Sequence, residues 1–135
     1  MLVIDAMNVI GSRPDGWWRD RPAAIRSLAE RLRRLADHDG RPVMMVVDGR
    51  PVDGLGEGAH GPLEIRYAAG GRDAADDRII ELLDELPRPV SVVTADRNLQ
   101  DRAIQRGANI QLPGRLLARL DELGPGVASP PSALD

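Results

Sequence analysis

Three apolar runs in this chain end in an aspartate: Leu2-Val-Ile-Asp5, Val43-Met-Met-Val-Val-Asp48 and Val90-Ser-Val-Val-Thr-Ala-Asp96. A further acidic group, Gly71-Arg72-Asp73-Ala74-Ala75-Asp76-Asp77-Arg78, opens what reads as a helix. Carboxylates gathered at one place repel one another, and some of their pKa values rise unless a cation fills the gap. An oxygen-only donor set suits Mg2+ or Mn2+, held by one or two carboxylates together with waters and a substrate phosphate. The chemistry implied is hydrolysis of a phosphoester, with a water activated on one side and the leaving oxygen stabilised on the other.

Each acid also has a plainer role. Asp5 and Asn8, just after a strand, can simply bond local backbone in a turn. Asp73 with Asp76 resembles a capping box with a shorter acid, and aspartates in a first helical turn interact favourably with the dipole. Asp76 and Asp77 point about 100° apart on a helix, and Asp76 shares its side with Ile79 and Leu83, so Asp76 is expected inward. Asp77 then faces solvent or an arginine and is the lesser candidate. Asp96 serves as well for a helix N-cap as for a ligand. Asp101 fits a solvated helix face, with a supporting metal contact as its alternative.

Trp17 and Trp18 supply most of the aromatic content and stand beside Arg13, Arg19 and Arg21. Aromatic rings among arginines can stack bases, at about 1–3 kcal/mol per base, and hold phosphates. One tryptophan is expected to anchor the loop and the other to meet substrate. Arg13, Arg19 and Arg72 are the candidate phosphate contacts, weighed against the ordinary solvated surface arginine. Gly56-Glu-Gly-Ala-His-Gly61 formally matches a dinucleotide fingerprint, but Pro62 and a strand follow where a helix is required, so it carries nothing. His60 reads as an exposed loop histidine.

The 135 residues suit one domain with a core of its own. There is no cysteine, so neither disulfides nor thiolate metal sites arise. All 18 basic residues are arginine, which removes the P-loop lysine and Schiff-base chemistry. A net charge of −3 argues against holding nucleic acid by bulk electrostatics alone. No apolar run approaches a membrane span and no basic, apolar leader opens the chain, so a cytoplasmic protein is expected.

The elements that must position these residues alternate. Strands are expected at residues 1–5, 42–47, 63–68, 90–94 and 109–112, the third of them less buried and at an edge. Helices are expected from Pro22 to Asp39, with Ile25, Leu28, Leu32 and Leu35 on one face, from Asp73 to Leu86, from Asn98 to Arg106 and from Gly114 to Leu123. The segment from Gly49 to Gly61 reads as a mobile glycine-rich loop, and residues 124–135 as a disordered tail after a single domain over residues 1–123. Such alternation implies a three-layer α/β/α fold with a central, mainly parallel sheet of about five strands. The carboxyl ends of its strands then share one edge, where Asp5, Asp48 and Asp96 converge.

Val3-Ile-Asp5-Ala-Met-Asn8-Val-Ile-Gly11, Val46-Val-Asp48-Gly, Ala75-Asp76-Asp77-Arg78-Ile79 and Val93-Thr-Ala-Asp96, in this order, resemble the NYN-domain ribonucleases of the PIN-like superfamily, nearest the YacP-like branch. The resemblance covers about residues 1 to 112. It implies a first strand at the centre of the sheet and a divalent-metal site. By match to the motif it implies Asp5, Asn8, Asp76, Asp77 and Asp96 as the metal or catalytic positions, with Asp48 and Asp101 secondary. Where the family has glycine after the first aspartate, this chain has Ala6.

The expectation is therefore a Mg2+- or Mn2+-dependent ribonuclease, an endonuclease, with Asp5, Asp76 and Asp96 as ligands. Its partners would be RNA and a ribosome or RNA-processing assembly, with the protein a monomer or homodimer. Two alternatives stand beside it. One is a non-catalytic RNA- or ribosome-binding module of the same fold, and the other a small-molecule phosphohydrolase.

Overall fold

The computed structural model describes residues 1–71 and 73–124. The expectations for Arg72, and for a tail from Pro125 onward, lie outside the described residues. The elements run β1 (Leu2–Asp5), α1 (Ala6–Gly11), a 3-10 turn (Trp17–Arg19), α2 (Arg21–Asp39), β2 (Val43–Asp48), β3 (Gly58–His60), β4 (Leu63–Ala68), α3 (Ala74–Leu83), β5 (Ser91–Val93), α4 (Arg97–Gln105), β6 (Asn109–Gln111) and α5 (Pro113–Glu122).

The sheet has six strands in the order β3-β4-β2-β1-β5-β6, parallel throughout except for the β3–β4 pair. The expected count of five missed β3, which occupies part of the segment read as a mobile loop. That segment is further tied down by a bridge between Val52 and Leu55, and by the Tyr67 hydroxyl, which donates to the Leu55 carbonyl at 2.6 Å. His60 is thus a residue of the edge strand, its ring nitrogen 2.6 Å from the Gly56 carbonyl. β4, expected at an edge, lies inside the sheet between β2 and β3. Its alternation survives as a difference between faces, with Leu63, Ile65 and Tyr67 buried on the face covered by α2 and α5 and Glu64 and Arg66 half-buried on the other face.

Strands such as Val43–Val47 are apolar on both faces because helices cover both. On one side Leu2, Ile4, Met45 and Val47 pack with Ile25, Leu28, Leu32 and Leu35 of α2 and Leu116, Leu117 and Leu120 of α5. On the other, Val3, Met44, Val46 and Val92 pack with Ile79, Ile80 and Leu83 of α3 and Leu99 and Ala103 of α4. Helix α2 begins with Asp20 accepting from the Ala23 N–H at 3.1 Å and stops at Gly40, whose φ of 62° suits a left-handed cap. Helix α1 was not expected at all. Six residues give too little periodicity to distinguish it from a turn.

The chain leaves β1 to build β2 and β4 on one side, then returns to place β5 on the other. The strand order therefore reverses between β1 and β5. In open parallel sheets the crevice beyond the carboxyl ends at such a reversal is where ligands bind.

Candidate active site

Asp5 is the last residue of β1, and across the reversal Thr94 follows β5. The Thr94 hydroxyl donates to Asp5 Oδ2 at 2.9 Å and accepts from the Asp96 N–H at 3.1 Å. Thr94 is fully buried, its carbonyl accepting from Gln100 Nε2 of α4 at 2.9 Å. One turn into α1, Asn8 Oδ1 accepts from the Ala95 N–H at 2.8 Å. Asn8 thus holds the loop after β5 against β1, and the two strand ends are locked together from both sides.

Asp76 enters from α3 and is 8% exposed, beside the buried Ile79 and Leu83 whose side it shares. Burial and the neighbouring charges of Asp5, Asp96 and Asp73, with a hydrogen bond to Asp96, push its carboxyl up to about 7. Asp5 is 6% exposed, and its carboxyl is pushed up to about 6 chiefly by burial. The Thr94 hydroxyl works against that rise, while the charges of Asp48 and Asp96 add to it. Asp5 and Asp76 therefore each feel the charge of Asp96, and Asp5 also that of Asp48.

Two of these acids also perform the plainer tasks weighed for them. Asp96 Oδ1 caps α4 by accepting from the Leu99 N–H at 3.1 Å. Asp48 Oδ1 accepts from the Ala75 N–H at 3.3 Å, so α3 draws its cap from β2. The expected capping box is absent: Asp73 sits at φ 64° and its side chain makes no cap bond. On the far side of Asp48 the Arg21 guanidinium donates to the Asp48 carbonyl. Gly49, at φ 104°, leaves it room, since a Cβ there would stand 3.2 Å from an Arg21 nitrogen.

Other candidates lie apart from this crevice. Asp77 points outward and pairs with Arg102 at 3.0 Å. Asp101 is exposed on α4. Arg13 pairs with Asp121 of α5 at 2.8 Å, and Arg31 reaches the same carboxylate at 2.7 Å. Of the tryptophans, Trp17 packs against the α2–α5 side of the core. Trp18 is 56% exposed, edge-on to Trp17 with ring centroids 6.0 Å apart and with the Arg19 guanidinium 5.9 Å over its ring. Sequence reading passed over Thr94 as a site residue. The usable signal was a hydroxyl two residues before a strand-end aspartate, spaced to serve both.

The crevice donors are carboxylate oxygens, a carboxamide and a hydroxyl, a set that fits Mg2+ or Mn2+ and no soft metal. Among the described residues no three acidic or histidine side chains stand close enough to enclose an ion by themselves. An ion held by one or two carboxylates, with water and phosphate completing its shell, fits such an open arrangement.

A mainly parallel sheet with buried aspartates at its reversal point defines this chain as an α/β domain with an acidic crevice beyond the carboxyl ends of its strands. It belongs to the YacP-like NYN domain family, whose model matches residues 2–128, a family of ribonucleases. The fold is similar to the crystal structure of Rae1 (YacP) from Bacillus subtilis, with a TM-score of 0.74 at 23% identity over 91% of this chain and 74% of that one. It is equally similar to the W164L mutant of that protein, with a TM-score of 0.73 at 22% identity over 90% and 75%. No curated protein matches the sequence.

Proposed function

We propose that this chain is a divalent-metal-dependent endoribonuclease whose centre is Asp5, Asp76 and Asp96. The observation that carries this reading is the burial of two carboxyls, Asp5 and Asp76, at the sheet reversal with Asp96 beside them. Burial first, and neighbouring carboxylates second, push these two up to about 6 and about 7. Mg2+ or Mn2+, when bound, supplies Lewis acidity and a water of lowered pKa. Asp5 and Asp76 would hold the ion together with water and the substrate phosphate, while Asp96, whose Oδ1 caps α4, would add its charge beside them. Thr94 fixes the rotamer of Asp5, and Asn8 keeps the β5 loop in place beside the scissile phosphate.

Trp18 and Arg19 offer a stacking face and a guanidinium to a single-stranded RNA. The net charge of −3 gives RNA little bulk attraction, which supports delivery of substrate by a ribosome or RNA-processing assembly in the cytoplasm. The domain acts there as a monomer or homodimer. No helix among the described residues is long and apolar enough to cross a membrane.

The test is incubation of the protein with labelled linear and circular RNA in Mn2+, in Mg2+ and in EDTA. Cleavage of both RNAs with either ion, lost in EDTA and in Asp5→Asn, is expected. RNA left intact in every condition would overturn the reading, and an uncut circle alone would remove the endonuclease.

A further inference from the structure

On the α2–α5 side of the sheet, the face opposite α3 and Asp76, lies a concavity that the proposed chemistry does not use. It has a volume of about 350 Å³ and sits between α1, the first three turns of α2 and α5, within the range of small-molecule sites, roughly 300–1,000 Å³. It exists because α2 presents Ala23, Ala24 and Ser27 where larger residues would close the gap. Val9, Ile10, Leu28 and Leu117 make its apolar walls, and Trp17 adds an aromatic one.

Its polar groups are of two kinds. Asp15 and Asp20 each spend one carboxylate oxygen on local backbone, on the Trp17 and Ala23 N–H groups, and the other oxygen has no hydrogen-bond partner among the described residues. Arg13 and Arg31 share the single carboxylate of Asp121, which leaves N–H groups of both guanidiniums over. Three carboxylates against two guanidiniums disfavour a phosphate. They suit a neutral planar ligand that carries donors on one edge and acceptors on another.

We propose that this cavity binds a purine base of the RNA strand lying in the crevice. Guanine offers its amino and N1–H groups to the free oxygens of Asp15 and Asp20, and adenine its amino group, while the N7 acceptor of either, or guanine O6, meets Arg13 and Arg31. The ring faces lie between the apolar walls and Trp17, as unstacked bases do in single-stranded RNA recognition. Helix α1 starts directly after Asp5, so Val9 and Ile10 are only roughly 6–8 Å along its axis from that residue. Arg21 opens α2 and donates to the Asp48 carbonyl at the carboxyl end of β2, so the first turns of α2 that wall the cavity stand at the sheet edge that holds the crevice. The inference rests on the ribonuclease reading for the strand that supplies the base.

The experiment uses Trp18→Ala, which leaves Trp17 in the cavity wall as the one tryptophan. Titration with AMP, GMP, CMP and UMP in EDTA, read by fluorescence, is expected to show saturable quenching by a purine nucleotide at least about tenfold tighter than by either pyrimidine. Ser27→Leu, which fills the cavity, should abolish that response, and Ala23→Leu at its lip serves if the first variant fails to fold. In Mn2+, Ser27→Leu with Trp18 intact should raise KM for RNA and flatten the base preference near the cut, with kcat held within about twofold. No saturable quenching by purines, equal response to pyrimidines, or an unchanged response in both filled variants would overturn the proposal. Because the titration needs no cleavage, purine binding by a protein that cuts no RNA upholds the cavity and removes only the ribonuclease reading.

Discussion

The hydroxyl of Thr94 stands 2.9 Å from Asp5 Oδ2 and bridges it to the backbone of Asp96, tying two strand ends that lie far apart in sequence. Thr94→Val keeps the shape and removes the bridge. It leaves a buried carboxylate and a backbone N–H short of a partner, a cost of about 1–3 kcal/mol. It also removes the contact that holds the Asp5 pKa down, so the acid limb of the activity profile should move to higher pH, with Thr94→Ser restoring it. A profile unmoved in Thr94→Val would mean that Asp5 titrates elsewhere in the reaction or not at all.

The metal-free protein should be more stable at pH 5 than at pH 8. Asp5 and Asp76 have folded pKa values of about 6 and about 7, above those of the unfolded chain. The folded state therefore binds more protons through this interval, and stability falls as pH rises through those values. Thermal melts in EDTA across this range measure it. A melting temperature that climbs with pH would contradict the assignment of these two groups.

A bound divalent cation should reverse that trend, because it competes with protons for the same oxygens. Mg2+ or Mn2+ should raise the melting temperature more at pH 8 than at pH 5.5. Equal shifts at both values would place the ion away from Asp5 and Asp76.

Asp76→Asn should abolish cleavage, by a factor of about a hundred or more, while raising the melting temperature of the metal-free protein at pH 8. The neutral amide removes a buried charge that repels Asp5 and Asp96. Asp77→Asn, by contrast, breaks only an exposed pair with Arg102 and should change little in either measurement. A large loss of activity in Asp77→Asn would show that α3 presents its second acid to the substrate.

At Asp96 the two roles separate by choice of substituent. Asp96→Asn keeps a capping oxygen and should melt close to the parent chain, whereas Asp96→Ala should cost about 1 kcal/mol. Both should be inactive if the carboxylate holds an ion. Full activity in Asp96→Asn would leave Asp96 as a cap alone.

Much of this was legible in one dimension, for physical reasons. Burial on both faces makes β1, β2 and β5 continuous apolar runs, and helical spacing marks the inner face of α2. The same spacing separated Asp76 from Asp77. Short elements escaped: α1 is too brief to show a period, and β3 is a glycine-bearing segment whose pairing with β4 no local pattern announces.

The absence of cysteine by itself excluded a thiolate-held ion, and apolar runs that end in aspartate implied that Asp5, Asp48 and Asp96 gather at one sheet edge. Tertiary structure decided which acids share charge. The reversal between β1 and β5 brings Thr94 to Asp5, the cap of α3 comes from Asp48 on a different strand, and the Arg13–Asp121–Arg31 cluster withdraws Arg13 from the crevice to the wall of a second cavity. Strand order and side-chain pairing across distant segments set these contacts, and neither quantity is written in the spacing of residues along the chain.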